Sequence, residues 1–192
     1  MNHPTKDKIV ACAMRLMQDQ GYSNLGLRDL ALEIGIKAPS LYNHFKSKTE
    51  LAHVALLTYR ELQLKKLHHI NQFETLSDRL HAYIALFSDM LLNEGYICFA
   101  MILALEKKQL TSEIRQEIDV FYTQNIQWLE KNWQQGLTLK QIHSQVTPQQ
   151  AAKIIFGALE GMMIFSNDED SSKKNQFTED ASILIRQLGA AI

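Results

Sequence analysis

Leu27-Arg28-Asp29-Leu30-Ala31-Leu32-Glu33-Ile34-Gly35-Ile36-Lys37-Ala38-Pro39-Ser40-Leu41-Tyr42-Asn43-His44-Phe45 reads as two very short helices joined at a glycine. Leu27, Leu30, Ala31 and Ile34 recur at helical spacing, and Gly35 ends the run. Pro39 stands near the first position of a second helix over residues 39–45, where a missing N–H costs nothing. Helices this short cannot bury an apolar face alone. Residues 6–20 supply a third, with Ile9, Ala13, Leu16 and Val10, Met14, Met17 at helical spacing and Gly21 as the stop. Three helices with glycine at the turn follow the helix-turn-helix plan.

The second short helix has an unusual surface. Ser40, Tyr42, Asn43 and His44 crowd hydrogen-bonding side chains into one and a half turns. Leu41 and Phe45, four apart, are expected to anchor the helix, so that Ser40, Asn43 and His44 face outward, toward a major groove. Tyr42 has a lesser reading as an aromatic at the edge of the core, and His44 reads equally as a plain surface histidine.

Helical patterns fill the rest of the chain. Ser47-Lys48-Thr49-Glu50 is a capping box opening a long helix to about residue 70. Thr75 starts another, ending near residues 93–95, and a shorter helix covers residues 97–107. Thr111 opens an amphipathic helix that Gly136 is expected to close, before a loop over residues 137–147. Thr147-Pro148-Gln149-Gln150 is a second capping box, opening a helix to about residue 167. The polar run 167–175 reads as a mobile loop, and a last helix as residues 177–190. The expected fold is all-α, with about nine helices, no strand and no internal repeat. It divides into a helix-turn-helix domain over residues 1–50 and a larger helical domain over residues 51–192.

Composition bounds the function. Hydrophobic residues make up 46% of the 192 and charged residues 21%, enough for a real core and too apolar for a disordered chain. Residues 1–50 carry seven Lys/Arg against five Asp/Glu, or +2; the remainder carries 13 against 16, or −3. A mildly basic head on an acidic body is compatible with local contact to nucleic acid. Cys12 and Cys98 stand far apart, so no disulfide framework is expected. No leader-type apolar stretch opens the chain, and the strongest apolar run, around residues 154–165, is broken by Glu160. The expectation is a cytoplasmic protein with no membrane partner. His68 and His69 are adjacent and diverge on a helix, while His81 and His143 lack ligand-spaced partners. No metal, cofactor, phosphate loop or catalytic constellation emerges, and an enzyme is not expected.

Gly21-Tyr22, Leu27-Arg28-Asp29-Leu30-Ala31, Gly35-Ile36 and Leu41-Tyr42-Asn43-His44-Phe45-Lys46-Ser47-Lys48 resemble, in order and spacing, the head of TetR/AcrR transcriptional regulators. The resemblance covers about residues 8–55, a quarter of the chain. It implies a homodimer on a palindromic double-stranded DNA operator, released by a small apolar or aromatic effector. It places Pro39, Ser40, Tyr42, Asn43 and His44 at the operator, and Arg28 at a base or phosphate. Lys48 falls at a phosphate-contacting position opening the fourth helix, where backbone amides also favour an anion. Two positions depart from the pattern. Leu25 and Gly26 stand where many relatives have a hydroxyl that caps the first short helix and touches phosphate. Lys37 stands where many have Ser, and is expected to replace that contact electrostatically. These departures support an alternative, a TetR-type module that has lost specific DNA binding.

The larger domain resembles the family's regulatory half in length and helix count. Its aromatics and methionines are core by default, but a pocket between helices is the usual site for an apolar ligand. The pocket candidates are Tyr83, Phe87, Met90, Cys98, Met101, Ile102, Phe121 and Trp128. Cys98 also resembles a Gly-x-x-Cys position through which some relatives sense electrophiles or oxidants; the alternative is a small buried hydrophobe. The resemblance places the dimer interface on the last two helices. Gly157, Ala158 and Gly161 would let a neighbouring helix approach, and Ile154, Ile155, Leu159, Met162 and Met163, with Ile183, Leu184 and Leu188 on the final helix, would supply apolar area.

Overall fold

The computed structural model describes residues 4–167 and 171–190, which hold nine α-helices and no sheet. Their contacts group the chain into two compact units, Met1–Leu62 with Phe99–Phe121, and Gln63–Cys98 with Tyr122–Ile192. A boundary at residue 50 falls inside the fourth helix, Lys48–Ile70, whose residues contribute to both units.

The first unit begins with α1 (Pro4–Gln20), α2 (Leu27–Glu33) and α3 (Ala38–His44), then the opening of α4 (Lys48–Ile70). Ile9, Val10, Ala13 and Met17 from α1, Leu30 and Ala31 from α2, and Leu41 from α3 meet in its core. Gly35 takes φ 72°, the left-handed conformation that costs glycine nothing. There the Ile36 N–H donates to Ala31 O at 2.9 Å and the Gly35 N–H to Leu32 O at 3.1 Å, which closes α2 as a Schellman motif. The unit also holds α6 (Phe99–Leu105), a 3₁₀ turn at Lys107–Gln109 and the start of α7 (Ser112–Thr138).

The capping box expected at α4 is half realised. The Glu50 N–H donates to Ser47 Oγ at 3.1 Å, but the Glu50 carboxylate accepts from the Lys46 N–H at 2.7 Å, one residue before the expected partner.

The second unit holds the rest of α4 and α7, with α5 (Leu76–Asp89), α8 (Pro148–Ser166) and α9 (Ser171–Gln187). Thr75 caps α5 by accepting from the Asp78 N–H at 3.0 Å. The Thr147 box is complete: the Thr147 N–H donates to Gln150 Oε1 at 2.9 Å and the Gln150 N–H to Thr147 Oγ1 at 3.3 Å. Three expectations differ. Gly136 lies inside α7, which runs on to Thr138. A Cβ there would lie 2.4 Å from Leu76 Cδ2 and 2.7 Å from Ile142 Cδ1, so this glycine permits close packing rather than ending the helix. Helix α9 begins at Ser171, not residue 177: Ser, Lys and Gln side chains tolerate a helical first turn without apolar periodicity. The expected loop therefore shrinks, and its residues 168–170 lie outside the described residues. The last turn after α5 is a π segment, Met90–Glu94, where one more residue per hydrogen bond changes the helix phase before Cys98.

Candidate nucleic-acid interface

Helix α3 is fixed from beneath. Leu41 and Phe45 are both 0% exposed, and Lys6 Nζ lies 5.7 Å from the Phe45 ring centroid. With that face committed, the opposite face has one orientation. Tyr42 is 41% exposed, Pro39 and Asn43 are exposed, and Ser40 and His44 are half-buried. Lys37, also exposed, is the N-cap, in extended conformation and without a side-chain cap bond. Five of the six residues 39–44 thus present a ring, an amide, an imidazole, a hydroxyl and a proline around one buried leucine.

Arg28 is exposed on the first turn of α2. The two departures have distinct local consequences. Leu25, 3% exposed, is a core residue. Gly26 is an N-cap with no side-chain bond, and a Cβ on it would lie 2.4 Å from Asp29 Oδ2. Asp29 thus covers the place where a hydroxyl-bearing side chain would stand.

Lys48 is half-buried and engaged within its own unit. Its Nζ donates to Ser23 O at 2.9 Å and sits 4.7 Å from the Tyr22 ring centroid. An ammonium has three donors, so this bond still leaves capacity toward an anion.

A neighbouring carboxylate escaped the sequence reading. Glu106 accepts from the Ser23 N–H at 3.0 Å and from the Ser23 hydroxyl. Burial raises its pKa, but the Ser23 side-chain and backbone bonds, a Tyr22 backbone bond and the Lys48 charge outweigh that and lower it. A Cβ on Gly21 would lie 2.6 Å from Glu106 Oε1. Glu106 therefore clasps the turn between α1 and α2. Ser23 and Glu106 are 83 residues apart, and no local pattern pairs them.

Residues 9–55 match the sequence model described as bacterial regulatory proteins, tetR family. The head thus matches the tetR-family model over these residues. The chain is 44% identical over 46 residues to IcaR of Staphylococcus aureus (strain Newman), the HTH-type negative transcriptional regulator of the biofilm operon icaADBC. That match spans 24% of this chain and only 25% of the relative. Beyond the TetR head, solved structures carry the likeness. A TetR-family transcriptional regulator from Agrobacterium tumefaciens matches with a TM-score of 0.88 at 21% identity, over 96% of this chain and 97% of that one. AibR, solved in complex with isovaleryl coenzyme A and operator DNA, matches with a TM-score of 0.73 at 21% identity, over 97% and 99%. At such identities these structures establish that the TetR-type fold extends along the whole chain.

The expected pocket residues of the TetR-type body fall in both units. Met101 and Ile102, half-buried, and Phe121, buried, belong to the first. Tyr83, Phe87, Cys98 and Trp128, buried, and Met90, half-buried, belong to the second. There the structure joins several rings: Tyr83 stacks on Trp128 at 5.0 Å between centroids, and Phe87 lies 5.4 Å from Tyr83. Phe156 lies 6.5 Å from Phe87 and 5.5 Å from Tyr122. Among the described residues, no group of three or more His, Cys, Asp or Glu could hold a metal ion, and no helix is long and apolar enough to cross a membrane.

Helices α8 and α9 pack on each other and leave apolar side chains uncovered. Ile154 and Ile183 are exposed, Ala158, Met162, Leu184 and Leu188 are half-buried, and Gly157 and Gly161 have open space over their Cα atoms. Ile155, Leu159 and Met163 instead face inward at 0% exposure, because α8 turns that side to its own core. Ile164 and Phe165, the latter 83% exposed, join the outward face.

Proposed function

We propose that this chain is a cytoplasmic one-component transcriptional repressor that binds a palindromic operator as a homodimer and is released by a small ligand. The supporting observation is the fixed outward face of α3. With Leu41 and Phe45 buried, Ser40, Tyr42, Asn43 and His44 are the side chains offered to base edges. Pro39, Arg28, Lys37 and Lys48 surround them as groups for backbone contacts, which set register without reading sequence.

One head reads half an operator, so two are required, about one DNA turn apart. The uncovered apolar face of Ile154, Ile164, Phe165 and Ile183, with Gly157 and Gly161 allowing close approach, supports α8 and α9 as the pairing surface. Within the second unit, Tyr83, Phe87, Met90, Cys98 and Trp128 are the proposed surroundings of the effector. AibR was solved with both a small ligand and operator DNA, which is the precedent for that pairing. An effector releases DNA only if it binds the released state more tightly. Helix α4 begins at Lys48 and ends at Ile70, and it is the proposed carrier of that difference. Thiol modification at Cys98, buried at 2% exposure, is the less favoured trigger.

Fluorescence anisotropy with a fragment from the promoter beside the chain's own gene tests the proposal. Saturable binding that weakens steeply with salt and outcompetes scrambled DNA is expected. A folded dimer that binds local promoter fragments no better than scrambled DNA would overturn it. That outcome would favour the second reading, a module without specific DNA binding. The side-chain-free cap at Gly26 and the burial of Leu25 favour that reading.

A further inference from the structure

Helix α8 carries one carboxylate into the core of the second unit. Glu160 is 2% exposed, and neither of its carboxyl oxygens receives a hydrogen bond of regular geometry. The Cys98 thiol, a weak donor, is the polar neighbour that weighs on it. Burial drives its pKa up to about 7, and the Cys98 interaction pulls the other way. The phenol of Tyr83 feels the same carboxylate: burial first, then Glu160, then Cys98 hold its pKa well above the ordinary value.

A buried acid whose polar neighbour is only a weak thiol donor is an expense the fold does not need. Residues 154–165 are otherwise almost wholly apolar, and a leucine or methionine at 160 would fill the space without desolvating a charge. Unsatisfied buried polar groups are uncommon in native proteins, and each requires a reason.

The surroundings supply one. Phe156 precedes Glu160 by one helical turn and shares its face of α8. From Phe156 a continuous set of rings runs through Phe87 to Tyr83 and Trp128, with Tyr122 on its other side. Aromatic faces are electron-rich and attract cations, more strongly when water is excluded. Carboxylate and rings therefore favour the same sign of charge, and both disfavour an anion.

We propose that Glu160, with the rings of Phe156, Phe87, Tyr83 and Trp128, forms a recognition site for an aromatic or lipophilic organic cation such as a quaternary ammonium compound. This deepens the effector half of the proposed function by giving the ligand a charge as well as an apolar body. When the cation enters, Glu160 gives up its proton to solvent and becomes the counter-ion. The neighbouring Tyr83 phenol, its pKa held well above the ordinary value by burial and by Glu160, stays neutral.

The test uses the full-length chain without DNA, so its result is separate from promoter binding. Benzyltrimethylammonium, benzyl alcohol and phenylacetate share a benzyl group and differ in charge. Calorimetric titration is expected to find the cation bound at least about tenfold more tightly than the alcohol, with phenylacetate weakest. Glu160→Gln is expected to erase the cation's advantage while moving the alcohol less than about twofold. Should that variant fail to fold, the wild type still decides. Cation binding near neutral pH, repeated in two buffers of different ionisation enthalpy, is expected to release a fraction of a proton, and alcohol binding none. The proposal is overturned if the cation does not bind folded protein, if the alcohol or phenylacetate binds as well, or if Glu160→Gln keeps the advantage. Cation binding without proton release also overturns it.

Discussion

Replacing Glu160 by Gln changes how stability depends on pH, and the size of the change follows from the folded structure. Burial holds the Glu160 carboxyl at a pKa of about 7 instead of its ordinary 4.5. A raised acid pKa means the folded state keeps a proton that the unfolded state gives up. Below 4.5 both states are protonated and the group is neutral to stability. From 4.5 to about 7 the unfolded state ionises first, so stability falls as pH rises; above about 7 both are ionised and the loss is complete. At about 1.4 kcal/mol per pH unit the loss totals about 3 kcal/mol, a large fraction of a typical domain's stability. Glutamine has nearly the same shape and does not titrate. Its amide still needs partners, which costs about 1–3 kcal/mol, but that cost is the same at every pH. The expected result is therefore a slope. Urea denaturation followed by tryptophan fluorescence at fixed protein concentration reports on Trp128 and Trp133, both in the second unit's core. The stability of Glu160→Gln minus that of wild type should climb by about 3 kcal/mol between pH 4.5 and 8. Other titrating groups are common to both proteins and cancel. Parallel curves would refute the reasoning, because the carboxyl would then be solvated or paired in solution.

Three further substitutions probe other parts of the structure. Gly189→Ala should destabilise the second unit by at least about 1–3 kcal/mol in the same denaturation assay. Gly189 takes φ 108°, and a Cβ there would lie 2.1 Å from His143 O, disturbing the bond from the His143 N–H to Gly189 O. Gly161→Leu should leave the single chain folded, since nothing within 4 Å meets a Cβ there, yet shift the proposed dimer toward monomer in sedimentation analysis. Glu106→Gln should weaken the clasp on Ser23 and reduce the loss of stability on acidification. The wild-type carboxylate has a lowered pKa, so its stabilisation is complete above the ordinary 4.5 and disappears as pH falls through the folded value. Denaturation at pH 3–6 should show the wild type falling more steeply than the variant.

Local chemistry made the head legible. The α2–α3 stretch announces itself by helical spacing, a glycine that must turn left-handed and a proline at a helix start, all decided within a few residues. Thr147-Pro148-Gln149-Gln150 was readable for the same reason, since both capping bonds close within one turn. Features set by distant partners were not. Gly136 looked like a helix stop because its packing partners, Leu76 and Ile142, are invisible to a local pattern. Ser171 and the residues after it looked like a loop because a polar helix turn has no apolar rhythm. Glu106 reads as one more charge at a helix end until the fold brings Ser23 to it. Glu160 was visible only as an interruption in an apolar run, and the poverty of its polar surroundings could be recognised only once its burial was known.

The central claim concerns the outward face of α3, and removing that face tests it most directly. The double substitution Tyr42→Ala and His44→Ala leaves Leu41 and Phe45 in place, so circular dichroism and the melting profile should stay close to wild type. Anisotropy titrations of both proteins against the promoter fragment and a scrambled duplex should show the wild type preferring the promoter by orders of magnitude. The variant should bind the two duplexes almost equally, keeping only salt-sensitive backbone attraction. A folded variant that discriminates between the duplexes as well as wild type does would contradict the account.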